Sequence, residues 1–426
     1  MSRKVLIESL TDIEKEVLNK ELELKIEPTG YVFDKTCKFV TIYDIENEYL
    51  YIPFSYSTKY LRPERKELKT FSKEFVGVLR EEQIEVKDTA IEQINKFGST
   101  IISAFPGFGK SALGVYIAIK IKLKTLIVVN RIVLIKQWIE TIQMFSPTST
   151  VQVLNPKSID EDVDFYIVNA INVPKVGRLF LNTVGFLIVD EIHLIMAESL
   201  SKCMFSICPR YVLGLSATPY RNDGFEPLIN LFFGDRKICK KLYRKHIVYK
   251  VDTGFTPKQE ILANGKVNWS SVIESQSESV ERNELIINII KFFEKRVFLV
   301  LVKRVIQGHY LVKRLKEENI DVTSLIGSQQ EYDCNSRVLV GTTQKVSCGF
   351  NHTRLNTLIL GSDIVSYWIQ ALGRVFRTKD GIPLVFDFVD NNGILLKHYK
   401  DRQKVYIEHG GEVKSFNKDF PYIKMS

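Results

Sequence analysis

The sequence predicts an α/β protein made of two tandem parallel-sheet domains with a small β-containing extension at the N-terminus. Two observations carry this expectation. From about residue 95, short apolar β-rich runs alternate with helical stretches, the pattern of a parallel sheet whose strands are joined by crossover helices. The same alternation begins again near residue 297, so a second sheet follows the first.

In chain order, residues 1–75 hold no crossover pattern. Within them Tyr43 to Tyr56 mixes polar and apolar residues with several tyrosines, which marks a small β-containing extension and a candidate DNA-binding element. Two uses of these aromatics are open: stacking on bases or gripping a duplex, or filling the core of a small β-domain. The first α/β domain spans 76–240, with strands expected at Thr100 to Ala104, Thr125 to Val129, Phe165 to Asn169, Phe186 to Val189 and Tyr211 to Leu215. Residues 241–282 are rich in Lys, Ser, Gln and Thr and carry Asn264-Gly265, so they read as a linker with one β-hairpin. The second domain, 283–426, has strands expected at Val297 to Val302, Val338 to Gly341, Thr357 to Leu360 and Leu384 to Phe388, each pair separated by enough chain for a crossover.

Composition sets broad limits. The 426 residues are 45% hydrophobic, enough for two or three ordinary cores, which excludes a disordered chain. Lys plus Arg is 59 against 50 acids, a formal charge of +9, which favours a polyanionic partner without identifying it. Six cysteines (Cys37, Cys203, Cys208, Cys239, Cys334, Cys348) form no C-x-x-C pair, so zinc ribbons and iron-sulfur clusters lack their ligand spacing and buried free thiols are expected. No stretch approaches the ~20 apolar residues of a membrane span, and the N-terminal apolar run is broken by acids, so a soluble intracellular protein is expected.

The chemistry starts where the first strand ends. Thr100 to Ala104 runs into Phe105-Pro106-Gly107-Phe108-Gly109-Lys110-Ser111-Ala112, and a helical stretch follows. This is a phosphate-binding loop in its required strand-to-helix context. Glycines let backbone amides turn inward on the phosphates, the helix N-terminus adds partial positive charge, Lys110 spans the β and γ phosphates, and the Ser111 hydroxyl holds Mg²⁺. Ala104 stands where the strict pattern has its first glycine. A second half-site follows at Phe186-Leu187-Ile188-Val189-Asp190-Glu191-Ile192-His193, an apolar strand that ends in two acids. Ligands sit at the carboxyl ends of parallel strands, which sets Asp190 beside the loop to coordinate Mg²⁺ and Glu191 to polarise the attacking water. No H-E-x-x-H occurs, so a zinc-protease reading has no support.

With Asp190-Glu191-Ile192-His193 and then Ser216-Ala217-Thr218 at the end of the next strand, the sequence resembles superfamily 2 helicases of the DEAD/DEAH kind. The resemblance implies two RecA-like domains, ATP and Mg²⁺ as cofactors, and a coupling role for His193, Ser216 and Thr218. It extends into the second domain, where Gln370-Ala371-Leu372-Gly373-Arg374-Val375-Phe376-Arg377 is similar to the family's Q-x-x-G-R-x-x-R motif. That similarity implies that Arg374 and Arg377 reach the γ-phosphate and stabilise charge developing in phosphoryl transfer, with Gln370 near the nucleotide. Leu79-Arg80-Glu81-Glu82-Gln83 is similar to the family's L-R-x-x-Q segment and implies an adenine-reading Gln83. Asn130-Arg131, leading through Gln137-Trp138, falls where motif Ia touches the nucleic-acid strand, although Asn-Arg replaces the usual V-P. Gly341 to Phe350 resembles motif V, which implies a backbone contact for Thr342.

Thr218-Pro219-Tyr220-Arg221-Asn222-Asp223-Gly224-Phe225, followed by Phe233-Gly234, resembles the XPB, UvsW and poxvirus transcript-release branch, and DEAD-box RNA helicases lack it. Residues from Gly349 to Arg377 look most like the homologous helicases of large cytoplasmic DNA viruses. The resemblance therefore implies a DNA translocase moving 3′ to 5′, in transcription or recombination and repair, with transcription or replication machinery as partners and, for a viral chain, the host cytoplasm or virion as location. An RNA helicase and a non-catalytic nucleic-acid- or polymerase-binding scaffold are the alternatives.

Overall fold

The structure, a computed structural model, describes residues 2–26, 38–58, 67–196, 202–217, 226–263, 265–329, 331–347, 352–365, 368–377 and 381–416. The chain divides into two compact units, Met1–Lys240 and Lys241–Ser426.

The first unit opens with β1 (Ser2–Leu6), α1 (Asp12–Glu21), β2 (Glu23–Ile26), β3 (Lys38–Thr41), β4 (Asp44–Glu46) and β5 (Tyr49–Pro53). β1, β5 and β4 form a small antiparallel sheet, and β2 pairs with β3. A capping box starts α1: the Thr11 hydroxyl accepts from the Glu14 N–H, and the Glu14 carboxylate accepts from the Thr11 N–H. This extension is built into the first unit's own core, where Val40, Ile42, Tyr51 and Phe54 pack with Ile101, Leu187 and Phe232. Arg178 lies 4.0 Å over the Tyr51 ring and donates to Asp44 at 2.7 Å. Tyr51 and Tyr56 are buried, and the Tyr56 hydroxyl donates to Glu21. Of the two readings of the aromatic segment, core filling describes these two tyrosines.

The main sheet follows with α2 (Glu81–Phe97), β6 (Ser99–Ala104), α3 (Lys110–Ile121), β7 (Thr125–Val129), α4 (Ile132–Phe145), β8 (Val151–Val153), β9 (Phe165–Asn169), β10 (Phe186–Asp190), β11 (Tyr211–Ser216), α5 (Glu226–Phe233) and β12 (Lys237–Lys240). Its seven strands run parallel in the order β12-β6-β11-β10-β7-β9-β8. Strands β6, β7, β9 and β10 are buried along their whole length, which is why β7, β9 and β10 read as nearly continuous apolar runs, while β6 buries the hydroxyls of Ser99, Thr100 and Ser103 beside Ile101 and Ile102.

The second unit repeats the design with β13 (His246–Asp252), β14 (Glu260–Ile261), β15 (Val267–Asn268), α6 (Trp269–Glu278), α7 (Val280–Phe292), β16 (Phe298–Val302), α8 (Val305–Glu317), β17 (Val322–Leu325), β18 (Val338–Thr342), β19 (Thr357–Leu360), α9 (Trp368–Val375), β20 (Leu384–Val389), α10 (Gly393–Glu408) and β21 (Gly411–Phe416). Its parallel order is β17-β18-β16-β19-β20-β13-β21. The architecture is thus two RecA-like parallel sheets with small antiparallel strands at the N-terminus.

One expectation needs correction. Residues 241–282 contain the hairpin, β14 with β15, and Gly265 supplies a positive φ of 77° for its turn, while Asn264 lies outside the described residues. They are not a linker, however. β13 is inserted between β20 and β21, paired from Ile247 with Leu384 to Asp252 with Val389. Its partners lie more than a hundred residues away, so no local pattern of Lys, Ser and Thr reveals the pairing. Among the described residues, no helix is long and apolar enough to cross a membrane.

Candidate functional site

The carboxyl edge of the first sheet gathers most of the first unit's candidates. β6 delivers the chain into the loop, and Gly107 and Gly109 take φ values of 91° and 86°, which only glycine adopts without steric cost. Space adds to this at Gly109, where a Cβ would stand 2.5 Å from Gln83 Nε2. Lys110 and Ser111 then open the twelve-residue helix α3, with Ala112 in its first turn. The Lys110 ammonium folds back to donate to the Ala104 carbonyl at 2.7 Å.

Gln83 and Arg80 brace this loop from α2. Gln83 is buried: its Nε2 donates to the Phe108 carbonyl at 2.7 Å and its Oε1 accepts from the Arg80 N–H at 2.8 Å. The Arg80 guanidinium donates to the Gly107 carbonyl at 3.0 Å and also to the Phe108 carbonyl. Phe108 is buried, with its carbonyl taken by these two side chains. Sequence reasoning assigned nothing to Arg80.

β10 ends in Asp190, with β11 between β10 and β6. Asp190 is only 7% exposed. Its Oδ2 accepts from the Trp138 indole N–H at 2.9 Å and its Oδ1 from the Glu191 N–H at 3.0 Å. Burial, and after it the charge of Glu191, push its carboxyl up to about 6, against the pull of the Trp138 N–H and of Lys110. Glu191 itself has φ 51°, a left-handed backbone rare outside glycine and a form of strain that collects at functional sites. That turn directs the chain away from the strand, and His193 comes to rest 2.9 Å from the Ser216 hydroxyl and 3.3 Å from the Glu191 carboxylate. The acid, the histidine and the serine expected to couple them are therefore in contact. Thr218, with the segment up to Phe225, lies outside the described residues.

The donor set suits a hard cation. A hydroxyl on Ser111 and a buried carboxylate on Asp190 are oxygen ligands of the kind Mg²⁺ takes while keeping water and phosphate oxygens. Burial, and after it the neighbouring Glu191 charge, disfavour the Asp190 carboxylate, and a cation bound there would favour it. Asn130 and Arg131 follow β7 at the same edge, and Arg131 forms the N-cap of α4. Both are partly buried.

In the second unit, Thr342 ends β18 and is buried. Gln370 and Arg374 lie on α9, and Arg377 follows one turn beyond, its N–H donating to the Arg374 carbonyl at 3.3 Å. Arg374 is buried, whereas Gln370 and Arg377 are half-buried. What holds α9 was not legible. Arg402 on α10 makes a two-pronged bond to Asp387, both distances 2.8 Å, and donates to Asp363 at 3.0 Å in the turn ahead of α9. His398 lies 2.8 Å from the other Asp363 oxygen. The ring of Tyr406 stands 4.9 Å from Trp368, and the Arg244 guanidinium donates to the Phe376 carbonyl. An acid inside the apolar run Leu384-Val385-Phe386-Asp387-Phe388-Val389 was the available signal, since a buried carboxylate demands a partner. The residues from Cys348 to Asn351 lie outside the described residues.

Known proteins give a consistent picture. Residues 77–221 match the family described as type III restriction enzyme, res subunit. The candidate helicase 161L of Invertebrate iridescent virus 6 is 40% identical over 96% of this chain and 98% of its own. The candidate helicase 055L of Frog virus 3 is 31% identical over 85% of this chain and 86% of its own. Among solved structures, yeast (S. cerevisiae) Dbp5 bound to RNA and ADP BeF3 superposes with a TM-score of 0.57 at 12% identity, covering 78% of this chain and 89% of that one, a likeness of fold.

Proposed function

The chain belongs to the superfamily 2 helicases of large DNA viruses, and from that premise we propose that it hydrolyses ATP to move on nucleic acid, with DNA as the track. The observation that carries the reading is the assembled phosphate loop, two left-handed glycines and a lysine-serine helix start, on the same sheet edge as the buried Asp190 and the turned Glu191.

In this reading the loop amides and Lys110 bind the ATP phosphates, with Gly107, Phe108, Gly109, Ser111 and Ala112 forming the cradle. Ser111 and Asp190 hold Mg²⁺, which supplies charge neutralisation at the phosphates. Glu191 orients and deprotonates water, and its contact through His193 to Ser216 relays the state of the site along β11. Arg374 and Arg377 are the cations proposed to meet the transferring phosphoryl group. Gln83 reads adenine, Gln370 serves the nucleotide, and Asn130, Arg131 and Thr342 meet the strand. Binding through phosphates makes the grip weak in sequence preference and sensitive to salt.

Movement 3′ to 5′, work in transcription or recombination and repair, and association with such machinery follow from the Thr218 to Phe225 resemblance. The test compares ATP hydrolysis by the full chain with single-stranded DNA, duplex DNA, forked DNA and RNA, with Lys110→Ala as the control. DNA stimulates the wild-type chain, and Lys110→Ala abolishes turnover. Stimulation by RNA alone replaces the DNA track with an RNA one, and undiminished hydrolysis by Lys110→Ala removes the site assignment.

A further inference from the structure

One side chain at the edge of the site joins three elements, two by contact and the third through the helix that carries it. Trp138, in the second turn of α4, is 1% exposed, and its indole N–H donates to Asp190 Oδ2 at 2.9 Å. Its ring lies so tightly on α3, the helix that opens at Lys110, that a Cβ on Gly114 would stand 2.9 Å from it. The helix that carries it is capped at its N-terminus by Arg131, in the segment proposed to meet the strand. Ile132 and Val133 in its first turn are exposed, so α4 has an outward-facing start and anchors its second turn on the carboxylate.

The chemistry of the contact is selective. Phenylalanine could fill most of the space, but it has no donor. The Trp138 N–H and the Glu191 N–H occupy one lone pair on each Asp190 oxygen and so fix the plane of the carboxylate, leaving its remaining lone pairs for a cation. Its two contacts are to elements of the proposed nucleotide site, and its own helix continues back to the segment proposed to meet the strand. A shift of α4 cannot avoid moving the Asp190 donor, because the closely packed ring has no void to absorb it.

We infer that Trp138 is a positioning residue that orients Asp190 and through which nucleic acid bound at the start of α4 is felt at the cation site. The inference rests on the proposed function. It is tested on the full chain in two ways. In Trp138→Phe, the Mg²⁺ concentration for half-maximal ATP hydrolysis rises about tenfold, the loss expected of one hydrogen bond to a charged group, and stimulation by nucleic acid falls. In the ¹⁵N-labelled wild-type chain, the three indole N–H resonances of Trp138, Trp269 and Trp368 are assigned with single Trp→Phe variants of the latter two. A single-stranded oligonucleotide added without nucleotide then moves the Trp138 resonance, and Arg131→Ala diminishes that movement. A folded Trp138→Phe chain with wild-type Mg²⁺ dependence overturns the inference. So does an unmoved Trp138 resonance in a chain whose hydrolysis the same oligonucleotide stimulates, and this measurement needs no variant at Trp138. A wild-type chain that hydrolyses no ATP with any nucleic acid overturns the functional reading, and the inference falls with it.

Discussion

Charge placement at single residues separates binding from turnover. In the proposed mechanism Lys110 and the loop amides meet phosphates already charged in the ground state, whereas an arginine delivered to the transferring group acts on charge that develops later. Arg377 follows α9, half-buried one turn past Arg374. Arg377→Ala should therefore keep most of the affinity for a fluorescent ATP analogue while losing nucleic-acid-stimulated hydrolysis by about 10³-fold, the scale of a lost arginine finger. A normal stimulated rate shows that this arginine does not serve the γ-phosphate.

At the scale of elements, α10 and β20 bury opposing charges to hold the turn before α9. The Arg402 and Asp387 side chains are 5% and 0% exposed, and Asp363 shares the guanidinium. Such a cluster contributes little net stability when whole, but removing one partner leaves buried charge uncompensated. Arg402→Met is expected to lower the unfolding free energy of the second unit by about 3–5 kcal/mol, read from chemical denaturation. Adding Asp387→Leu should restore part of that loss; a double variant less stable than Arg402→Met alone rules the account out. Elements also explain which strands escaped the sequence. β8 and β12 are the edges of the first sheet and β17 and β21 the edges of the second. Each has mixed burial because one side or end meets solvent, so none presents the nearly continuous apolar run by which β7, β9 and β10 are recognised.

Over the whole molecule, stability responds to pH through histidines that folding buries. Burial lowers the pKa of His246 and of His352 below the ordinary 6.5, with His409 adding repulsion at the first and Arg354 at the second. The unfolded chain therefore takes up these protons before the folded chain does. Stability is unaffected by them above the ordinary histidine range, falls as pH drops below about 6.5, and levels off once the lowered folded values are passed. Unfolding free energies of wild type and His246→Gln measured between neutral pH and pH 5 should show a shallower slope for the variant. Equal slopes would mean that His246 is not kept neutral by the fold.

The sequence by itself determined the α/β class, the central strands of both sheets, the phosphate loop, and the acidic end of β10. Each is written in residues adjacent along the chain: apolar runs, glycines before Lys110, and two acids after Val189. Only the tertiary structure decided that His246–Asp252 belongs to the second sheet, that Tyr51 and Tyr56 are core, and that Arg80, Trp138 and Arg402 brace the candidate sites. These depend on partners far apart in the chain, such as β13 with β20 or Trp138 with Asp190. A hydrogen bond or a packed ring across that separation leaves no periodicity in either segment, so it is decided by which surfaces the folded sheets bring together.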